Sequence, residues 1–171
     1  DYYLTSELIK PLAGNNVESN LVSVDFIVRQ KKRFSFKKWN EEIGGDICIA
    51  HTIRLRGRSQ TLFLNADAMG KSIQGAAGAL VLGSIFEAAV ERTRNSSETQ
   101  DQSAERWLKN LFLELHKVFE SFTGMMLVSL IIGLVDDETG TLYSVNADHP
   151  PMVLYRNEEA VFLPERPMLK V

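Results

Sequence analysis

The order of secondary-structure patterns restricts the fold of this chain more than any other feature of its sequence. Two long stretches with helical spacing of apolar residues follow each other, one from just after Gly70 to about Arg94 and one over Ala104–Phe122, with the polar loop Asn95–Ser103 between them. Strand patterns joined by short turns lie on both sides of this helical pair. Strands and helices therefore do not alternate as in a parallel Rossmann sheet, and the order predicts an α+β fold with antiparallel sheets.

The strand patterns are short and are bounded by turn residues. They are predicted at Leu21–Gln30, Gly44–Leu55 and Gln60–Asp67 before the helices, and in "MMLVSLIIGLVD", "TLYSVNADHPPMVLYR" and "AVFLPE" after them. The tract Arg56–Ser59 is predicted to form a hairpin turn, and Asp137–Gly140 a turn in the later set. The chain begins with a short helical pattern that Pro11 and Gly14 close.

Length, composition and charge indicate one soluble globular domain. The chain has 171 residues, of which 44% are hydrophobic and 24% charged, and its net charge of −3 argues against a nucleic-acid partner. The single Cys48 cannot form an internal disulfide, which indicates a reducing compartment. We therefore expect a cytoplasmic location. The longest apolar run, Met125–Val135, is shorter than the roughly 18 residues that span a bilayer, so no transmembrane helix is predicted.

A basic segment with interleaved aromatic residues, "QKKRFSFKKW", covers Gln30–Trp39. A mixture of this kind is compatible with nucleic-acid binding. Because the whole chain is acidic, we interpret the segment instead as a strand or hairpin with one solvated face.

Two aspartates lie at the ends of neighbouring strand patterns. Asp46 lies about eleven residues before the turn at Gly57 and Arg58, and Asp67 about nine residues after it. If the two strands pair as a hairpin, both carboxylates fall near its open end, where they repel each other unless a cation lies between them. Hard divalent ions such as Mg²⁺ and Mn²⁺ prefer such oxygen ligands. On local grounds an alternative stays open, in which Asp67 is a helix N-cap and Asp46 a turn residue.

The helix that follows Asp67 contains three glycines, Gly75, Gly78 and Gly83, each of which costs about 1 kcal/mol relative to alanine. With the neighbouring alanines they give the helix a narrow face. This face predicts close contact with a sheet or another helix rather than phosphate binding. A P-loop is disfavoured because Asn65 stands where that motif requires its first glycine.

Three motifs in order resemble one known family. "GGD" precedes the second predicted strand, "NADAMGKSIQGAA" follows the third, and "LYSVNADHPPMVLYR" lies near the end. They resemble the metal-dependent protein serine/threonine phosphatases of the PPM type, and within these the bacterial SpoIIE/RsbU-like branch. The similarity covers roughly Leu21–Val171 and includes the position of the two long helices.

The resemblance implies an antiparallel β-sandwich flanked by helical layers, with a two-metal site for Mn²⁺ or Mg²⁺ at one end. It implies that Asp46 and Asp67 are catalytic metal ligands and that the main-chain carbonyl of Ala68 also binds metal. Metal-activated water would then hydrolyse phosphoserine or phosphothreonine without a phosphoenzyme. The family's later "DG" segment and a further aspartate supply other ligands. Neither lies before Val171, so we expect a C-terminally truncated domain with half a metal site.

The same resemblance implies a division of the chain and a set of partners. Residues 1–14 are expected to be the end of a connecting signalling helix, and residues 15–171 the truncated phosphatase domain. Because the chain begins at Asp1 rather than at methionine, we expect it to be a piece of a longer polypeptide. The resemblance implies an upstream sensor domain in that polypeptide, so this chain would be cytoplasmic or the cytoplasmic part of a membrane-anchored sensor. The expected partner is a phosphorylated protein substrate, such as an anti-sigma-factor antagonist, and not nucleic acid. A homodimer stays open, because the sequence does not fix the oligomeric state.

Departures from the family pattern favour a second hypothesis, a pseudophosphatase that keeps the fold and binds partners without chemistry. Ile49 stands where many relatives have an acidic residue, and Asp148 replaces a glycine in the "NADHPP" motif. Aspartate tolerates a positive φ better than most residues but less well than glycine. Met69 fills the place of a histidine acid found in other branches, which fits the bacterial branch. We interpret His149 as a structural residue that holds the turn before Pro150 rather than as a catalyst.

Overall fold

The computed structural model describes residues 2–164, in which a five-stranded sheet is the central element. The strands, numbered in chain order, are β1 (Gly14–Asn16), β2 (Lys32–Phe36), β3 (Trp39–Ile43), β4 (Asp46–Leu55), β5 (Arg58–Ala68), β6 (Val128–Asp136), β7 (Leu142–Ala147), β8 (Val153–Arg156) and β9 (Glu159–Phe162). The large sheet has the order β1-β4-β5-β6-β7, with β4 to β7 antiparallel and β1 parallel to β4. The pairs β2–β3 and β8–β9 form two separate antiparallel hairpins.

The helices lie on this sheet as a layer. They are α1 (Tyr2–Ile9), which continues into a 3-10 turn at Lys10–Leu12, α2 (Ile73–Asn95), the single-turn α3 (Ser97–Gln100) and α4 (Ala104–Glu120). α2 contacts β4 and β5, whereas α4 contacts β6, β7 and α2. The predicted α+β class, with mainly antiparallel strands and two long helices, is confirmed, and of the predicted sandwich the described residues form one large sheet.

The apolar core lies between the sheet and the two long helices. Successive side chains of a strand point to opposite faces, and in β4 Ile47, Ile49 and Ile53 are buried against the helices. The helices contribute side chains at helical spacing, among them Leu82, Phe86 and Val90 from α2 and Trp107, Leu108, Leu111 and Leu115 from α4. Each fully buried Leu or Ile contributes about 1.5–3 kcal/mol, so this layer dominates the stability.

α2 is long and apolar enough, by length and composition, to cross a membrane, although the sequence patterns singled out no such segment. Half of that window is buried inside the domain. Ten of the helix residues are buried, because the helix contacts both the sheet and α4. The contacts of α2 are therefore those of a core helix.

The β4–β5 hairpin turns at Arg56 and Gly57, whose φ angles are 51° and 76°. Two consecutive residues with positive φ form a type I′ turn, which matches the twist of paired strands and which glycine adopts without a Cβ penalty. The register pairs Leu55 with Arg58, so the turn lies one residue earlier than the sequence predicted.

The prediction of a strand at Leu21–Gln30 is wrong, because most of the segment is irregular. Leu21 and Ile27 expose 71% and 90% of their surfaces, so their alternation does not reflect a covered face. The basic tract does form the predicted hairpin, as β2–β3. The division of the chain into residues 1–14 and residues 15–171 stays a prediction. Residue 1 and residues 165–171, which belong to these two parts, lie outside the described residues.

Candidate metal centre

Asp46 and Asp67 face each other directly across the β4–β5 hairpin. Their strand neighbours Ile47 and Ala66 are buried on the helix side, so the two carboxylates project from the opposite face of the sheet, at an end where both residues are exposed. Directly opposed residues of antiparallel strands have Cβ atoms about 4.5–5.5 Å apart. The predicted meeting of the two carboxylates at the open end of the hairpin is therefore confirmed as geometry.

The surroundings of Asp46 disfavour its negative charge. Partial burial raises the pKa of Asp46 above its usual value, and the charge of Asp67 raises it further, while His149 acts in the opposite direction. A cation placed between two carboxylates removes such repulsion. The electrostatics of the pair are therefore suited to a bound cation.

The alternative roles of helix cap and turn residue are wrong. α2 begins at Ile73 with Ser72 as its N-cap, whereas Asp67 lies earlier in the chain, inside β5. Asp46 is a paired strand residue rather than part of a turn. Neither carboxylate is therefore explained by a local structural role.

The carbonyl of Ala68 is enclosed by glycines rather than by side chains. The Ala68 amide donates a hydrogen bond to the Gly45 carbonyl oxygen at 3.0 Å. A Cβ added to Gly45 would lie 2.0 Å from the Ala68 carbonyl oxygen, and one added to Gly75 would lie 3.0 Å from it. Side chains at these two positions would therefore collide with the carbonyl, which explains why "GGD" and the start of α2 both use glycine.

The glycine-rich face of α2 lies directly on the strands, as predicted. A Cβ on Gly78 would lie 2.7 Å from the Cβ of Ala68 and 2.7 Å from the Sδ of Met126. A Cβ on Gly83 would lie 3.0 Å from the Cδ1 of Ile47. Gly75 and Gly78 therefore let the helix lie behind the end of β5 at a distance that larger residues would not allow, and Gly83 lets it lie equally close to β4.

A turn between β7 and β8 brings His149 to the same end of the sheet. Asn146 holds this turn, because its Oδ1 accepts from the His149 amide at 2.9 Å and its Nδ2 donates to the His149 carbonyl at 3.0 Å. The Nδ1 of His149 lies 3.0 Å from the Oγ of Ser129, which pairs with Asp67 across β5 and β6. These contacts agree with the structural role predicted for His149. Ser129 is not predicted from the sequence, because its only signal is its place on the strand next to Asp67.

Comparison with family models shows to which protein family the chain belongs. The family model of stage II sporulation protein E (SpoIIE) matches residues 57–169, well over half of the chain. This chain belongs to the SpoIIE family. Membership indicates a domain of the phosphatase type that occurs in signalling proteins. No curated protein sequence matches the chain.

The SpoIIE match covers only part of the candidate site. Asp67, Ala68 and His149 lie inside the matched residues, whereas Gly45 and Asp46 lie before them. The assignment of Asp46 as a partner of Asp67 therefore depends on strand register rather than on the family match.

The donors available in this SpoIIE domain fit part of a site for Mn²⁺ or Mg²⁺. Asp46, Asp67 and the Ala68 carbonyl offer oxygen atoms, which hard cations prefer, and Mg²⁺ commonly binds one or two carboxylates and keeps several waters. Within residues 2–164, no group of three or more His, Cys, Asp or Glu side chains is placed to hold a metal ion. The described residues therefore supply two carboxylates and one carbonyl.

The two departures from the family pattern leave this arrangement intact. Ile49 is fully buried on the helix side of β4, so an acidic residue at that position would not share a face with Asp46. Asp148 has a φ of 53°, the conformation that favours glycine, and aspartate adopts it at a modest cost. Neither change therefore removes an oxygen ligand from the face of the sheet that carries Asp46 and Asp67.

Other polar clusters have structural explanations. The Oδ1 of Asp136 accepts hydrogen bonds from the amides of Glu138 and Thr139, so "DDETG" forms a turn as predicted. Buried His51 lies 2.6 Å from a carboxylate oxygen of Glu87 and is a buried polar contact between β4 and α2.

Proposed function

We propose that this chain is the metal-dependent phosphoprotein phosphatase module of a bacterial signalling protein, and that it removes phosphate from serine or threonine by attack of water. The direct pairing of Asp46 with Asp67, in a chain of the SpoIIE family, carries the proposal. Two opposed carboxylates repel a phosphoryl group, so a cation must lie between them and the substrate.

The residues of the site have different roles in the proposed reaction. Asp46, Asp67 and the Ala68 carbonyl would hold Mn²⁺ or Mg²⁺, ions that activate water and offset the charge of phosphoryl oxygens when bound. The β4–β5 ladder fixes the spacing of the carboxylates, and Gly45 keeps side chains away from the carbonyl. His149 places an imidazole beside the acidic pair through its contact with Ser129.

The proposal extends to partners and location. A phosphorylated protein, such as an anti-sigma-factor antagonist, would be the substrate, and an upstream sensor domain in the same polypeptide would set the activity. A cytoplasmic location is supported by the single cysteine, since one thiol cannot form an internal disulfide. Homodimerisation is compatible with this arrangement and is not required by it.

A second candidate is a pseudophosphatase that binds the phosphoprotein without hydrolysing it. The observation that favours it is the small ligand set, because only two carboxylates meet in the described part of the chain. The two candidates differ in what Mn²⁺ does, since only the enzyme converts a phosphoserine peptide to free phosphate.

The decisive experiment compares the wild type with Asp67→Asn in a protein that continues past Val171 with the family's later acidic segment. With Mn²⁺ and a phosphoserine peptide, we expect turnover that a chelator abolishes and that Asp67→Asn lowers by about two orders of magnitude or more. Asp101→Asn, an isosteric change in an exposed loop, is the matched control. Full activity of Asp67→Asn would contradict the metal assignment, and Mn²⁺ binding without phosphate release would favour the pseudophosphatase.

A further inference from the structure

A strongly basic surface lies on a chain that is otherwise acidic. Residues 31–38 contain five cationic side chains and no acidic one: Lys31, Lys32, Arg33, Lys37 and Lys38. The whole chain carries −3, so the remaining residues, without these five charges, carry −8. We call residues 31–39, which comprise β2, its turn and Trp39, the basic hairpin. The rest of β3 carries Glu41 and Glu42, and Glu42 forms an ion pair with Arg33 at 2.8 Å. Within residues 2–164 the other four cations of the basic hairpin form no ion pair. Its charge is therefore a local feature and not a property of the whole protein.

The cations at the tip of the basic hairpin are exposed and are supported by aromatic rings. The Nζ atoms of Lys37 and Lys38 lie 5.5 and 5.2 Å from the ring centroids of Phe36 and Trp39, within the range of cation–π attraction. Both rings are themselves exposed. In the part of the chain that the structure describes, neither lysine forms an ion pair. Their charges are therefore available to an anionic partner.

The basic hairpin is held against the domain rather than extended into solvent. Tyr3 of α1 stacks on Phe36 with ring centroids 4.6 Å apart, and Tyr2 contacts Phe34 at 5.7 Å. α1 itself contacts α2. The hairpin therefore has a defined position relative to the core.

The base of the basic hairpin is continuous with the Asp46–Asp67 pair. Gln30, just before the hairpin, donates a hydrogen bond from its Nε2 to the Asp46 carbonyl at 2.6 Å. A cavity of about 300 Å³ is lined by Gln30, Glu42, Gly44 and Asp46 among others. A five-residue strand is about 16 Å long, so the hairpin tip lies within the reach of a bound peptide from this cavity.

We propose that the basic hairpin docks an acidic segment of the phosphorylated protein substrate and directs its phosphoserine toward Asp46 and Asp67. The inference rests on the proposed function. The rest of the chain carries a net charge of −8, so the basic hairpin offers an anionic protein an attractive surface next to the site. A short patch on an acidic domain suits an acidic peptide better than the long phosphate backbone of a nucleic acid.

The test measures binding without turnover, using the 171-residue chain with a chelator present. The probe is a fluorescent phosphoserine peptide flanked by glutamates, and the comparison peptide has glutamines in their place. The double variant Lys37→Ala, Lys38→Ala should weaken binding of the acidic peptide about tenfold and leave the comparison peptide unchanged. Lys37→Arg with Lys38→Arg should keep the affinity. Lys109→Ala with Lys117→Ala removes two exposed charges from α4 and is the matched control.

Two results would overturn the docking surface. One is equal affinity of the acidic peptide for the wild type and the hairpin variant. The other is tighter binding of a single-stranded oligonucleotide or a phosphatidylserine vesicle, lost in the same variant. Asp67→Asn separates this proposal from the proposed function, because it leaves the hairpin intact. Peptide affinity that survives in Asp67→Asn and falls in the lysine variant supports docking, whatever happens to turnover.

Discussion

The amide of Ala68 donates a hydrogen bond to the carbonyl oxygen of Gly45 at 3.0 Å, and no room is left for a side chain between them. A Cβ on Gly45 would lie 2.0 Å from the Ala68 carbonyl oxygen and 3.1 Å from its nitrogen. Backbone atoms cannot move aside as the end of a side chain can. Any larger residue at Gly45 therefore has to push apart the two strand ends that carry the aspartates.

Gly45→Ala should consequently destabilise the domain by about 1–3 kcal/mol, the usual cost of overpacking, and weaken Mn²⁺ binding. Gly44→Ala is the comparison and should cost less, because its Cβ would meet the Oε1 end of the Gln30 side chain, which can rotate away with loss of its hydrogen bond to the Asp46 carbonyl. Urea unfolding and Mn²⁺ titration of both variants measure the difference. Equal effects of the two substitutions would contradict the claim that the backbone contact sets the site.

The raised pKa of Asp46 makes the stability of the metal-free protein depend on pH. The folded state holds the Asp46 proton more tightly than the unfolded state, so stability is lost as the pH rises from about 3.8, the ordinary value, through the raised pKa. Asp46→Asn removes this loss, and in chelator it should be more stable than the wild type at neutral pH. With saturating Mn²⁺ the order should reverse, because only the carboxylate binds the ion. Thermal melts across pH, with Asp101→Asn as the control, measure both stabilities. If Asp46→Asn stays more stable than the wild type in saturating Mn²⁺, the prediction is contradicted.

Local sequence signals were sufficient for one part of the site. A tight turn at Gly57 and two strands of similar length determine which residues oppose each other, so the meeting of Asp46 and Asp67 could be counted from the sequence. The close approach of α2 could be predicted as well, because glycines at Gly75 and Gly78 have a cost that only packing explains. Both inferences use neighbours that are close along the chain.

Contacts between distant segments could not be predicted in this way. Ser129 and His149 meet because β5, β6 and β7 are adjacent in one sheet, and no local pattern specifies that order. The failure at Leu21–Gln30 has the same origin, since an alternating segment becomes a strand only when another strand offers its edge. Pairing partners were the missing information in both cases.

Asp136 should be a stabilising charge outside the metal site. Burial acts to raise its pKa, but hydrogen bonds from Thr139 and Gln60 and the charge of Arg58 outweigh it and lower the pKa. A lowered pKa gives stability that is present above the unfolded pKa and lost as the pH falls through the folded one. Asp136→Asn should therefore cost about 1–3 kcal/mol at neutral pH, and this difference should shrink as the pH falls below 3.8, the ordinary pKa of the carboxyl group. Urea melts at neutral and at acid pH measure it, beside the exposed control Glu138→Gln, and a loss that stays constant with pH would rule out the charge as its cause.

Gly78→Leu should displace the residues of the metal centre from the side of the sheet that α2 covers. Its side chain would grow toward the Cβ of Ala68, 2.7 Å from the position of an added Cβ, and toward the sulfur of Met126 at the same distance. The sulfur can move but the strand cannot, so we expect a loss of about 1–3 kcal/mol from overpacking. Because Ala68 follows Asp67 directly, displacement of the strand end should also weaken Mn²⁺ binding. Ala77→Leu adds the same side chain to the neighbouring exposed position of α2 and should change neither quantity. A denaturant melt beside a Mn²⁺ titration provides the measurement, and an unchanged midpoint and metal affinity in Gly78→Leu would show that α2 does not support the site.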